Sequence, residues 1–185
     1  MEAVYIDKHA DLVGECRRGN RKAQFEIYKL YSRAMYNVAL RIVNAAADAE
    51  DVLQEAFLDA FVKIEAFREE TSFGMWLKQI VIHKSLNVLR KRKAEFIGLD
   101  EVDVAAEDDE TDLEEQELKV HEIKEAMTRL ADGYRVILSL YLFEGYDHQE
   151  IGYILKISEN TSRTQYMRAK LRLTALLGKK GVKDE

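Results

Sequence analysis

The 185-residue chain contains no proline. Average usage of about 5% would give roughly nine, so no residue along it forbids helix outright. With Leu, Ala, Glu, Lys and Arg throughout, that absence argues for an all-α fold. Cysteine is nearly as scarce. Cys16 stands alone, which excludes an internal disulfide and gives no reason to invoke an oxidising compartment. No run of about 18 apolar residues exists, so no transmembrane helix is expected. The opening MEAVYIDKHADLV lacks the basic-then-apolar order of a signal peptide, and a cytoplasmic location is the default expectation. Four scattered histidines and no Gly-rich phosphate loop leave no constellation for catalysis. Neither a metal nor another cofactor is expected, and an enzyme is the reading with least support.

What is present is 47% apolar, enough for a core, and 34% charged, with a net charge of −6. An acidic chain looks wrong for a nucleic-acid binder until the charge is mapped. Residues 99–118 hold eleven acids and no base, whereas residues 1–98 hold 16 bases against 14 acids and residues 119–185 hold 12 against 9. Two mildly basic lobes are joined by an acidic strap. The expected organisation is two small helical domains, 1–97 and 118–185, with 98–117 as an acidic flexible linker. Such a block is either a solvated, poorly ordered connector or the occupant of a basic groove on a partner.

The stretch 48–67, DAEDVLQEAFLDAFVKIEAF, reads as one helix of about five turns. Asp48 is placed to cap it, with Asp51 three residues on. Leu53, Phe57, Ala60, Phe61, Ile64 and Phe67 recur at helical spacing as a core stripe. Asp51, Gln54, Glu55, Leu58 and Val62 share a face roughly 180° away. Exposed apolar area costs about 25 cal/mol per Å², so Leu and Val among acids need a cover. That cover is either a partner or another helix of the same domain.

Before it, residues 8–43 read as two helices separated near Gly19-Asn20, with Phe25, Tyr28, Leu30, Tyr31, Met35, Tyr36, Ala39 and Ile42 as core markers of the second. After it, REETS (68–72) breaks the pattern, and a third long helix runs from about Phe73 to Lys93 on a core side of Leu77, Ile80, Val81 and Val88. Trp76, Gln79, His83, Asn87 and Arg90 share a second face of that helix, flanked by Lys78 and Lys84. A planar stacker, hydrogen-bonding side chains and a cation suit an unstacked nucleic-acid strand. The terminal RKRK is also what the helix dipole favours.

A four-helix lobe is expected beyond the strap: 118–130, 134–143, 148–155 and a longer helix from Glu159. Asp147 and Glu150 make a capping pair. Lys156-Ile157-Ser158 is a tight turn. In the last helix Tyr166, Ala169, Leu173 and Leu176 face inward, leaving Arg163, Thr164, Met167, Arg168 and Lys170 outward. This is the helix-turn-helix arrangement, whose second helix presents side chains to base edges in the major groove. An ordinary helical hairpin is the bland alternative.

DAEDVLQEAF (48–57), FGMWLKQIVIHKSLNVLRKRK (73–93), EIGYILKIS and NTSRTQYMRAKLRL follow one another in the order and spacing of the extracytoplasmic-function (ECF) class of bacterial sigma factors, which nearly the whole chain resembles. The resemblance implies a promoter-specificity subunit that binds core RNA polymerase. It implies polymerase contacts at Asp51, Gln54, Glu55, Leu58 and Asp59. It implies −10 promoter contacts at Trp76, Gln79, His83, Lys84, Asn87 and Arg90, with REETS helping to hold an extruded base. It implies −35 contacts at His148, Arg163, Thr164, Gln165, Met167 and Arg168, an acidic linker entering the RNA-exit region, and an anti-sigma partner. The chain departs from the family pattern at His83, where Asn is common, at LADGYR (130–135), which lacks the usual Pro, and at Thr161-Ser162, where TV is usual. A stand-alone helix-turn-helix regulator would explain 147–172 but leaves the first lobe idle.

Overall fold

The computed structural model describes residues 8–95 and 120–178, which are helical throughout apart from turns and connectors, with no strand among them. They fall into two compact units divided between Arg92 and Lys93. The acidic strap, 98–117, lies outside the described residues.

Unit 1 holds α1 (Ala10–Arg17), α2 (Arg21–Val43), α3 (Ala46–Val62) and α4 (Phe73–Glu95), with a single 3-10 turn at Ile64–Ala66. The break at Gly19-Asn20 has two causes. Gly19 sits at φ 77°, and the Asn20 carboxamide accepts from the backbone N–H of Lys22 and Ala23, satisfying donors that the first helical turn leaves open. α2 ends on Asn44 in the left-handed region, φ 54°, a conformation asparagine tolerates better than most residues. The core is apolar and close-packed around Ile27, Ile42, Val52, Phe73, Leu77 and Val81. Each such side chain contributes about 1.5–3 kcal/mol by leaving water.

Two expectations for this unit change. Helix α3 begins at Ala46, its N-cap is Ala45 without a side-chain bond, and the regular helix stops at Val62. Asp48 therefore lies inside the first turn, where its carboxylate accepts from Arg92 of α4; the same guanidinium donates to the carbonyl of Val43 at 2.8 Å. Asp48 closes the unit instead of capping a helix. In α2 the buried set is Ala23, Ile27, Met35, Val38, Ala39, Ile42 and Val43. Phe25 and Leu30 are exposed, because they fall off the stripe that Ile27, Met35 and Ile42 define, and Lys29 covers the Phe25 ring at 5.0 Å. Tyr28 lies edge-on to Phe57 at 4.9 Å.

Unit 2 holds α5 (Val120–Thr128), α6 (Asp132–Leu138), α7 (His148–Leu155) and α8 (Glu159–Gly178), and α6 runs on as a π turn over Ser139–Phe143. α8 packs against α5, α6 and α7. In LADGYR, Arg135 is buried and donates to the carbonyl of Leu130 at 3.0 Å, so a charged side chain ties the α5–α6 turn. Asp147 and Glu150 form the anticipated capping box on α7. The turn into α8 depends on Gly152. A Cβ there would lie 2.9 Å from the carbonyl oxygen of Ile157, so only glycine lets the two segments approach, and Lys156 takes the left-handed conformation that closes α7.

Candidate partner and nucleic-acid interfaces

Burial on one side of α3 leaves the other side open. Ala49, Val52, Leu53, Ala56, Phe57 and Ala60 are buried, as the apolar spacing requires. Asp51, Gln54 and Glu55 are exposed, and between and beyond them Leu58 is 66% and Val62 82% exposed. No helix of unit 1 covers these two side chains, which removes the internal-packing alternative. Asp59 is half-buried at the edge of this face.

The stripe on α4 is present as one surface. Gln79, His83, Asn87 and Arg90 are exposed. Trp76 is only half open: its ring lies tilted against Phe67 at 5.4 Å and Phe73 at 5.6 Å. Its remaining face lines an open groove of about 320 Å³ together with Gln79, Ile80, His83, Lys84 and Asn87, and Asp59 of α3 and Lys63 just after that helix form the far wall. Arg90 donates to the Asn87 side-chain oxygen at 2.9 Å. The loop before α4 is held from α1: Arg17 donates to Glu69 at 2.5 Å and to the Phe67 carbonyl at 2.7 Å. Ser72 then accepts from the Met75 backbone N–H at 3.2 Å and starts the helix.

Lys84 is not simply a flanking cation. Its Nζ sits 3.0 Å from Asp59 Oδ2 and 3.4 Å from Glu55 Oε2. The hydrogen bond from Lys84 holds the Asp59 carboxyl below its ordinary pKa against a smaller opposing effect of burial, with help from Lys63. On the lysine, burial disfavours the charge, but the bonds to Asp59 and Glu55 outweigh it and raise the pKa. The spacing of neither helix alone reveals this link, because it joins residues 25 positions apart. Lys63 in the groove wall was missed for the same reason.

In unit 2, Arg163, Thr164, Met167 and Arg168 are exposed on α8 and Gln165 is half-buried, while Ala169 and Leu173 face the core. Glu159 accepts from Arg163 at 2.5 Å, an i,i+4 pair readable in the sequence. His148 does not join this face. It is 9% exposed, its Nδ1 lies 3.0 Å from Ser162 Oγ, and its ring stacks on Tyr141 at 4.8 Å. As the first residue of α7 it points at α8, so packing and one polar bond fasten the two helices where a DNA contact was expected. Ser162 is the buried partner that makes this possible. No helix among the described residues is long and apolar enough to cross a membrane, and no cluster that could hold a metal occurs among them.

Comparisons with known proteins show the family to which the two units belong. Residues 27–95 match the family model described as Sigma-70 region 2, and residues 121–173 match that described as Sigma-70, region 4. The ECF RNA polymerase sigma factor SigM of Bacillus subtilis (strain 168) is 29% identical over 161 residues, 86% of this chain and 98% of that protein. The ECF RNA polymerase sigma factor SigW of the same strain is 27% identical over 173 residues, 85% of this chain and 90% of that protein. Among solved structures, the sigma factor RpoE of Bartonella quintana, crystallised with the anti-sigma factor NepR, shares the fold at a TM-score of 0.58 and 22% identity, covering 86% of this chain and 97% of that one. Two region models in chain order, and relatives matched along nearly their whole length, place this chain in the sigma-70 family of RNA polymerase sigma factors, among those of ECF type.

Proposed function

We propose that the chain binds core RNA polymerase and directs promoter-specific initiation of transcription, acting in the cytoplasm and without catalysis of its own. Each exposed surface has a role in this reading. The face of α3 with Asp51, Gln54, Glu55, Leu58 and Asp59 docks on polymerase. The α4 stripe of Trp76, Gln79, His83, Lys84, Asn87 and Arg90 engages the opened −10 element. On α8, Arg163, Thr164, Gln165, Met167 and Arg168 read the −35 duplex, Arg being the commonest specific reader through guanine. His148 supports that helix from behind.

The observation that carries this reading is the exposure of Leu58 and Val62 among acids on α3, beside a groove lined by Trp76 and His83. A helix-turn-helix regulator working alone would have no use for either. Phosphate contacts dominate non-specific affinity for DNA, and each lobe carries only a small excess of base. Two weak DNA surfaces need a third body to hold them on one promoter. An anti-sigma protein is the expected antagonist, as in the solved relative that carries one, and it would compete for the apolar α3 face.

The test is retention of the full chain by core polymerase, followed by in-vitro transcription from a random promoter library. Binding at micromolar concentration and a recovered two-element consensus are expected; absence of binding overturns the reading. Leu58→Asp should abolish retention while leaving the melting temperature of unit 1 unchanged. A lowered melting temperature would return Leu58 to the core.

A further inference from the structure

Lys84 belongs to both surfaces at once. It lines the groove with Gln79, His83 and Asn87, yet its ammonium is held by Asp59 and Glu55 of α3. Those two acids continue the row that Asp51 begins, at i, i+4 and i+8 on the side of α3 that presents Leu58. Any partner that meets this row with basic groups competes for the same carboxylate oxygens. A lysine released from them has three donors and a full charge, and it stands on the helix that carries the stripe.

We propose that Lys84 is a counter-ion switch: Asp59 and Glu55 hold it in the free chain, and core polymerase, by taking those carboxylates, releases it to a DNA phosphate at the groove. The inference rests on the reading in which α3 docks on polymerase. It accounts for two features together. In the free chain Lys84 is neutralised by the two carboxylates, so the −10 surface attracts DNA more weakly than it would with that lysine released. In the complex the same side chain adds one phosphate contact without any movement of backbone. By linkage the effect is reciprocal: DNA that holds Lys84 frees the α3 acids for polymerase, and each ligand tightens the other. The bonds to Asp59 and Glu55 raise the lysine's pKa while it is held, and a released lysine ammonium is still charged at neutral pH.

Two measurements on the full chain decide this. The first is the acylation rate of Lys84, read by mass spectrometry and scaled to its rate in the unfolded chain. It should be low in the free protein, rise several-fold when core polymerase is added, and fall again when a promoter fragment selected from the library is bound. A rate that stays level or drops on adding polymerase overturns the switch. The second is the salt dependence of promoter binding by the holoenzyme. Lys84→Gln should lower the slope of log K against log salt concentration by about 0.7–0.9, the loss of one phosphate contact, and Lys84→Arg should restore it. An unchanged slope overturns the proposal, as does an equal loss in the free chain, which would make Lys84 a permanent DNA contact. If polymerase fails to retain the chain at all, the functional reading falls first and the switch with it. If polymerase binds and Lys84 stays protected, only the switch falls.

Discussion

On α4 the cations next to the groove are already engaged: Lys84 by two carboxylates from another helix and Arg90 by Asn87. On α8, Arg163 is steadied by Glu159 of its own helix, and Arg168 is exposed. The first surface draws its geometry from tertiary contacts, with a half-buried tryptophan as its floor. The second is a local product of one helix and the turn before it. A surface of the first kind is suited to shaping around an unpaired strand, where stacking and desolvation matter. A surface of the second kind is suited to reading a regular duplex, where side-chain identity at fixed helical positions matters.

The contrast can be broken at four points. Replacing Arg163 and Arg168 together by Ala should remove about 2–6 kcal/mol of −35 recognition, at about 1–3 kcal/mol for each good base contact. Transcription from promoters that depend on the −35 element should collapse while retention by core polymerase is unchanged. Loss of retention would mean that α8 is part of the polymerase interface. Gly152→Val should cost unit 2 about 1–3 kcal/mol through overpacking against the Ile157 carbonyl, lowering its melting transition and leaving that of unit 1 in place. His83→Ala should slow open-complex formation about tenfold while closed-complex binding holds, a loss at the low end of the ~1–3 kcal/mol attached to stacking on an unpaired base. Equal loss in both steps would mean that His83 only supports the fold. The smallest effect concerns Asp59. Its pKa is depressed in the folded chain, so the Lys84 pair contributes fully above the unfolded value of about 3.9 and is lost as pH falls through the lower folded value. An NMR titration of the Asp59 carboxyl should show that depression, and Lys84→Gln should shrink it.

Helix-level features were legible because they are short-range. The buried stripe on α3, the capping box at Asp147 and the outward set on α8 each follow from residues along a single helix, and each stands where the sequence pattern puts it. The features that escaped depend on a second element. Asp48 looked like a cap because only its own helix was in view; Arg92, 44 residues on, claims its carboxylate. Phe25 looked like core because aromatic residues often are, yet the neighbouring helix meets the Ile27 side of α2. The resemblance put His148 among the −35 contacts, whereas Ser162 and Tyr141 hold its ring inside. The Lys84 pair falls in the same class.

The π turn at Ser139–Phe143 has a consequence for chain length. Such a turn is wider than an α turn by one residue, closed here by the bond from the Glu144 backbone N–H to the Ser139 carbonyl. Tyr141 within it meets the rings of both His148 and Tyr166, which also meet each other at 5.4 Å. Deleting the exposed Leu142 would remove the extra residue and draw Phe143 back by one position, roughly 100° around the helix axis. The expected cost is the three-ring cluster of Tyr141, His148 and Tyr166, because Tyr141 belongs to the turn that the deletion would close up.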